Sequence, residues 1–204
     1  MSITTAQVVL TEQEGSVLTL TLNRPEVLNG VNDDVLDAVA AGCRHAASDN
    51  SIRVVVITGA GRGFCSGQDL RAGLESGDVD IRGRLRNHYV PMIKAMRELE
   101  KPVIASVNGV AAGAGMSLAL AADFRIASES ARFIQAFVRI GLVPDAGSSY
   151  FLPRLVGTAK ALELAMLGET VDSAEALRLG LVNRVVPDAD LSRATAELAA
   201  RLGR

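Results

Sequence analysis

The chain has 204 residues, 49% hydrophobic and 22% charged, with 23 acidic side chains against 21 basic ones and a net charge of −2. That is enough apolar chain for one well-buried core, read as a single catalytic domain over residues 1–204 that ends within a closing helix. The charges are interspersed and Trp is absent, which argues against a nucleic-acid stripe, a base-stacking surface and a polybasic membrane anchor.

Residues 7–11 and 16–23 alternate around a Glu12-Gln13-Glu14-Gly15 turn and predict an antiparallel hairpin. Asn32 or Asp33 is placed to cap a helix whose Val35, Leu36, Val39, Cys43 and Ala47 form one apolar stripe. Residues 53–58 are β-branched and apolar after Arg53, the pattern of a strand buried on both faces. Over 80–100 a helix is predicted, with Ile81, Leu85, Tyr89, Ile93, Met96 and Leu99 recurring and a kink at Pro91. A strand Val103–Val107, a small-residue helix 113–122 and a strand 124–127 follow. Leu155-Val156-Gly157 leads into a helix Thr158–Leu167; Ser173 caps a helix 174–179, residues 181–186 form a short strand, and Leu191–Leu202 closes the chain as an amphipathic helix. Strand and helix alternate, so the class is α/β.

Two segments carry the chemistry. Gly63-Phe64-Cys65-Ser66-Gly67-Gln68-Asp69-Leu70 follows the strand at 53–58, and Asn108-Gly109-Val110-Ala111-Ala112-Gly113-Ala114-Gly115 follows Val103–Val107. Each is built of small residues, so a ligand can approach the backbone, and two such loops at strand ends can aim N–H groups at one developing negative charge. Taken in order with Leu22-Asn23-Arg24-Pro25-Glu26-Val27-Leu28-Asn29 and Ile140-Gly141-Leu142-Val143-Pro144-Asp145-Ala146-Gly147, they resemble the enoyl-CoA hydratase/isomerase (crotonase) superfamily from about Val8 onward. Arg132-Phe133-Ile134-Gln135-Ala136-Phe137 and the Pro144-Asp145 pair extend the likeness to the phenylacetate-pathway epoxyphenylacetyl-CoA isomerase group.

The resemblance implies a crotonase-like spiral of ββα units, a coenzyme A thioester as substrate, no permanent cofactor and no metal. It also implies a homo-oligomer, a trimer or hexamer. Members continue into a C-terminal helical region that helps build trimers and roof the site; here the sequence stops at Leu202-Gly203-Arg204, so that region is expected to be shortened or absent. Family positions make the Gln68 and Ala114 N–H groups the oxyanion donors, with Gly113 at the start of the helix behind them. Arg24, Val27 and Gly30, then Ser66, Gly67, Asp69 and Leu70, fall at coenzyme A positions, although Arg24 could equally be a solvated surface charge and Asp69 a loop cap.

The two glutamates of good hydratases fall on Ser117 and Phe137, neither of which titrates usefully. What remains is Asp145, where double-bond isomerases of the family hold their single carboxylate. Apolar Phe137, Ile140, Leu142 and Val143 around it are expected to raise its pKa, and Phe137, Pro144, Ser117 and Gly113 to form the substrate pocket. The expected activity is a double-bond shift, or an epoxide rearrangement, beside the thioester. A hydratase with water held by Asp145 alone is the alternative.

Other readings carry less. Residues 54–63 look like the cofactor turn of NAD-dependent short-chain dehydrogenases, but a hairpin and a helix precede them and no Tyr-x-x-x-Lys exists. A dehalogenase would need more aromatics than Phe137 around the acyl group. Gly115-Met116-Ser117-Leu118-Ala119 weakly resembles a serine elbow, yet no motif supplies its base; His45 and His88 are expected at the surface or rim. Cys43 and Cys65 are too few for a disulfide framework, and Cys65 is expected to serve packing. A reducing, cytoplasmic location is expected, since no secretion signal is visible and the apolar stretch around 103–122 is broken by Asn108, glycines and Ser117. A non-catalytic scaffold is the remaining rival, because fold does not prove function.

Overall fold

The computed structural model describes residues 7–69 and 80–204. The strands form two sheets. The larger has six strands in the order β1-β2-β3-β5-β7-β10, the smaller four in the order β4-β6-β8-β9. In the larger are β1 (Val9–Glu14), β2 (Val17–Leu22), β3 (Val54–Gly59), β5 (Val103–Val107), β7 (Phe124–Ser128) and β10 (Arg184–Val186). The smaller is built of three-residue strands, β4 (Gly63–Cys65), β6 (Val110–Ala112), β8 (Arg132–Ile134) and β9 (Thr170–Asp172). The pairs β3–β4, β5–β6 and β7–β8 each run from the large sheet straight into the small one, and a helix then returns the chain. This is the α/β spiral of strand–strand–helix turns; among the described strands only β1 with β2 and β8 with β9 are antiparallel.

The hairpin is tighter than expected. Glu14 pairs directly with Val17, so β1 runs through its exposed polar end and only Gly15 and Ser16 turn. On β2, Leu18, Leu20 and Leu22 point into the core, as period two requires. Helix α1 (Asp33–Ser48) is capped by Asn32, whose side chain accepts from the Val35 N–H at 3.1 Å. Its buried stripe ends on Ala46 rather than Ala47, because the step from Cys43 is three residues, not four.

The helical run after residue 80 is continuous but not regular. Helix α2 (Ile81–Arg84) passes into a π-helical turn (Leu85–Tyr89) and then α3 (Val90–Arg97). Pro91 has no N–H to donate, and the turn before it widens so that the Val90 N–H reaches back to the Leu85 carbonyl. The kink expected at Pro91 is thus taken up one turn earlier. Rephasing buries Tyr89, Met92 and Met96 and leaves Ile81 half-exposed.

Helix α4 (Ala114–Ala121) is buried all round. Its small side chains let β4, β6 and the neighbouring helices, α3 among them, pack closely around it. Helices α5 (Ser148–Val156), α6 (Thr158–Leu167) and α7 (Ser173–Arg178) follow. Asp172, not Ser173, caps α7 by accepting from the Glu175 N–H at 2.8 Å, while the Ser173 hydroxyl donates to the Glu129 carbonyl. The strand expected over 181–186 shortens to β10. Helix α8 (Leu191–Leu202) covers the outer face of the large sheet, placing Leu198, Ala199 and Leu202 on Val54, Val56 and Ile104. Val55 and Ile57 face the main core, so β3 is buried on both sides, as its unbroken apolar run requires. No helix among the described residues is long and apolar enough to cross a membrane.

Candidate active site

The two glycine-rich segments meet. Gly67 lies at φ +97°, where a side chain is strained, and a Cβ added there would come 2.8 Å from the Ala112 carbonyl oxygen and 3.5 Å from the Ala114 nitrogen. At Gly115 an added Cβ would overlap the Cys65 carbonyl. Only hydrogen fits at either point, which is why the β4 loop can lie against the start of α4. Ala114, the first residue of α4, carries an N–H that the helix leaves without an internal acceptor, at the positive end of its dipole. Gln68 pairs with Val31 through its neighbours: the Gly67 carbonyl accepts from Val31 N–H at 2.8 Å, and Asp69 N–H donates to the Val31 carbonyl at 2.9 Å. Strand alternation turns the Gln68 N–H the other way.

Both loops open onto a cavity of about 410 Å³. Ser66, Gly67, Gln68 and Asp69 line one side, with Gly113 and Ala114. Ala136, Phe137, Arg139, Ile140, Leu142 and Asp145 line another. A third wall was not legible in the motifs: Ile81, Arg84, Leu85 and Tyr89, one stretch of α2 and the π turn. Tyr89 read as one more apolar stripe residue. Pro91, two residues after the end of the π turn, was the available signal that this stretch would be rephased.

Asp145 is half-buried, and its Oδ1 has no hydrogen-bond partner among the described residues. Burial pushes its pKa up from 3.8 to about 6. The backbone that aims it is held twice: its carbonyl accepts from Ser148 N–H at 2.8 Å and from the Ser117 hydroxyl at 3.1 Å. The chain then turns through Ala146 at φ +46° and Gly147 at φ +81°, a left-handed pair that includes a non-glycine residue. Of the apolar neighbours expected around Asp145, Phe137, Ile140 and Leu142 share its cavity; Val143 is 78% exposed and, like Pro144, lies on the neighbouring groove towards α5 and α6.

Ser117 is fully buried on α4 and does not line the cavity; its hydroxyl donates to the Gly113 and Asp145 carbonyls. Arg24, Val27 and Gly30 also stand one layer back. The Arg24 guanidinium pairs with Asp69 at 2.8 Å and donates to the Gly30 carbonyl, and the Ser66 hydroxyl donates to the Val27 carbonyl at 2.9 Å. Arg24 is therefore no solvated surface charge: it ties the turn after β2 to the first loop. Leu70 lies outside the described residues. Asn29, at φ +57°, completes this brace by accepting from Arg24 N–H and donating to the Ala60 and Gly63 carbonyls at 2.9 and 2.7 Å. His45 is exposed, and His88 pairs with Asp37 at 2.9 Å on the outer side of the helical run. Burial pushes the Cys65 thiol up to about 12, an inert packing residue. No cluster of three His, Cys, Asp or Glu suited to a metal occurs among the described residues.

The chain belongs to the enoyl-CoA hydratase/isomerase family, whose pattern it matches over residues 12–204. It is 46% identical to a Rhodobacter capsulatus protein named "Probable enoyl-CoA hydratase", over 91% of this chain and 71% of that protein. To the 1,2-epoxyphenylacetyl-CoA isomerase of Escherichia coli it is 43% identical, over 95% of this chain and 75% of the relative. Among solved structures it is similar to a monofunctional enoyl CoA isomerase from M. smegmatis, at 42% identity and TM-score 0.82, covering 97% of this chain and 85% of that one. Enzymes of this family act on coenzyme A thioesters and carry no permanent cofactor.

Proposed function

We propose that the protein is an acyl-CoA isomerase that shifts a double bond, or rearranges an epoxide, beside the thioester, with Asp145 as proton shuttle. One observation carries the choice of isomerase over hydratase. Among the described residues lining the cavity the carboxylates are Asp145 and Asp69, and Asp69 is paired with Arg24. The positions that hold glutamates in good hydratases hold Ser117, whose hydroxyl is engaged by two carbonyls, and Phe137.

The chemistry follows from one acid. The ionised Asp145 carboxylate takes a proton from C2 of a 3-enoyl thioester, and the C–H pair delocalises into a dienolate with its charge on the thioester oxygen. The N–H groups of Gln68 and Ala114 hold that oxygen, each such donor being worth roughly 100- to 1,000-fold in rate. Protonated Asp145 returns the proton to C4, and the 2-enoyl thioester forms with no net proton gained or lost. A pKa of about 6 suits both halves of the cycle, since the group must accept and then release the same proton near neutrality. Arg24, Ser66, Gly67 and Asp69, with Val27, Gly30 and Leu70, follow the coenzyme A arm in this reading. The protein also self-associates in this reading, which the exposed Val143, Leu162 and Met166 support; light scattering that gave a monomer would count against that part.

The deciding experiment supplies 3-enoyl-CoA and 2-enoyl-CoA separately to the wild type and Asp145→Asn, with products separated by chromatography. Formation of 2-enoyl-CoA from the 3-enoyl thioester, lost in the variant, is the expected result. A dominant 3-hydroxyacyl-CoA product would make the protein a hydratase and sink the single-acid reading.

A further inference from the structure

We infer that Tyr89 is a positioning residue, clamping the Gln68 loop across the cavity and so fixing the direction of the Gln68 N–H; this rests on the reading of that N–H as an oxyanion donor. The phenol donates to Gln68 Oε1 at 2.6 Å, and Tyr89 is 4% exposed, so the bond is short and shielded from water. On its far side the loop is already held by its bridge to Val31. Tyr89 supplies the opposing hold, from the helical wall on the other side of the cavity. Its reach depends on the π turn, because Tyr89 is the last residue of Leu85–Tyr89 and the wider turn points it inward with Met92 and Met96.

Burial and the nearby Asp145 carboxylate both hold the Tyr89 phenol well above its ordinary range. It therefore stays a proton donor at every working pH, and the clamp does not switch while Asp145 cycles between its two states. A donor whose direction is set by two opposed holds needs no reorganisation as charge develops on the substrate, which is where such groups gain their effect. Tyr89 acts through Gln68 and touches no reacting atom in this account.

The test uses butyryl-CoA, which cannot isomerise, carrying a 13C thioester carbonyl whose infrared band is read in the bound state. In the wild type the band moves to lower wavenumber; in Tyr89→Phe, which keeps the ring and loses the hydroxyl, at least about half of that shift is lost. Turnover should agree: kcat down about tenfold, KM within about twofold, and the acid limb of the pH profile unmoved. Gln68→Ala breaks the same bond from the other end while keeping the N–H, so it serves if Tyr89→Phe fails to fold. Where both fold, the double variant should be no worse than either single one. A full carbonyl shift in both variants, or additive losses, would overturn the clamp and leave the oxyanion reading standing. A moved acid limb would place Tyr89 on Asp145 instead. No band shift in the wild type would overturn the reading of Gln68 and Ala114 itself, and the clamp with it.

Discussion

The two sides of the cavity are built on opposite principles. On the glycine side, at Gly67 and Gly115, side chains matter by being absent, and the groups proposed to act are the backbone N–H of Gln68 and Ala114. On the acid side, at Phe137 and Asp145, the backbone serves to aim one carboxylate. The first depends on contacts too close for any Cβ; the second depends on one atom, Asp145 Oδ1, left without a partner among the described residues. The difference teaches that damage to the two sides should look different: loss of fold on one, loss of chemistry with intact fold on the other.

The sharpest way to break the comparison is at the acid. Asp145→Asn should lower kcat about a thousandfold, the usual worth of a positioned proton carrier, with binding of a saturated acyl-CoA retained. Loss of binding in a calorimetric titration would show that the acid side also holds the ligand. In the proposed mechanism the ionised carboxylate is the active form, so kcat/KM should rise with pH up to about 6 and level off above it, following the raised pKa of Asp145. A limb near 4 would mean that burial does not set the working pKa.

Gly115→Ala tests the other side. The new Cβ meets the Cys65 carbonyl, which has no flexible end to give way, so a stability loss of about 3 kcal/mol is expected in urea unfolding. Asn29→Ala is next, at about 2 kcal/mol, because it leaves the buried Gly63 carbonyl with only the longer Asn108 bond at 3.3 Å, removes the donor to the half-buried Ala60 carbonyl and takes away the acceptor of the Arg24 N–H. An active, destabilised Asn29→Ala protein would sharpen the contrast by showing that the brace supports the fold more than the chemistry.

How far the sequence reached follows the same division. The long apolar runs, such as β3, and the capped helix α1 were legible because burial on two faces or at helical spacing leaves a periodic trace. The small sheet left none: β4, β6, β8 and β9 have three residues each, too few for alternation, and three of them sit inside segments that already read as loops or motifs. Asp145 and both glycine loops were legible from ordered motifs. Their convergence was not, since the close approach of Gly67 to Ala112 and Ala114 is a contact between segments about 45 residues apart, which local pattern cannot express. Tyr89 was hidden by its own hydrophobicity, and Arg24 by a charge that usually signals solvent.

The smallest effect is also the most discriminating. Burial raises the Asp145 pKa from 3.8 to about 6 in the folded protein. Between those values the folded state keeps a proton that the unfolded chain has released, so stability falls as pH rises through that window and the deficit is complete above it. Asparagine has nothing to ionise and, at an oxygen with no partner among the described residues, loses no hydrogen bond seen there. Asp145→Asn should therefore be more stable than the wild type at about pH 8, with the gain gone by about pH 4. Since the group is only half-buried, solvent screening reduces the expected gain to on the order of 1 kcal/mol, read as a rise in Tm. A gain equal at both pH values would assign the cost to packing or to the left-handed Ala146 turn rather than to a desolvated charge. With the charge as its source, the residue proposed to carry the reaction would also limit stability, the compromise expected of a desolvated acid held for chemistry.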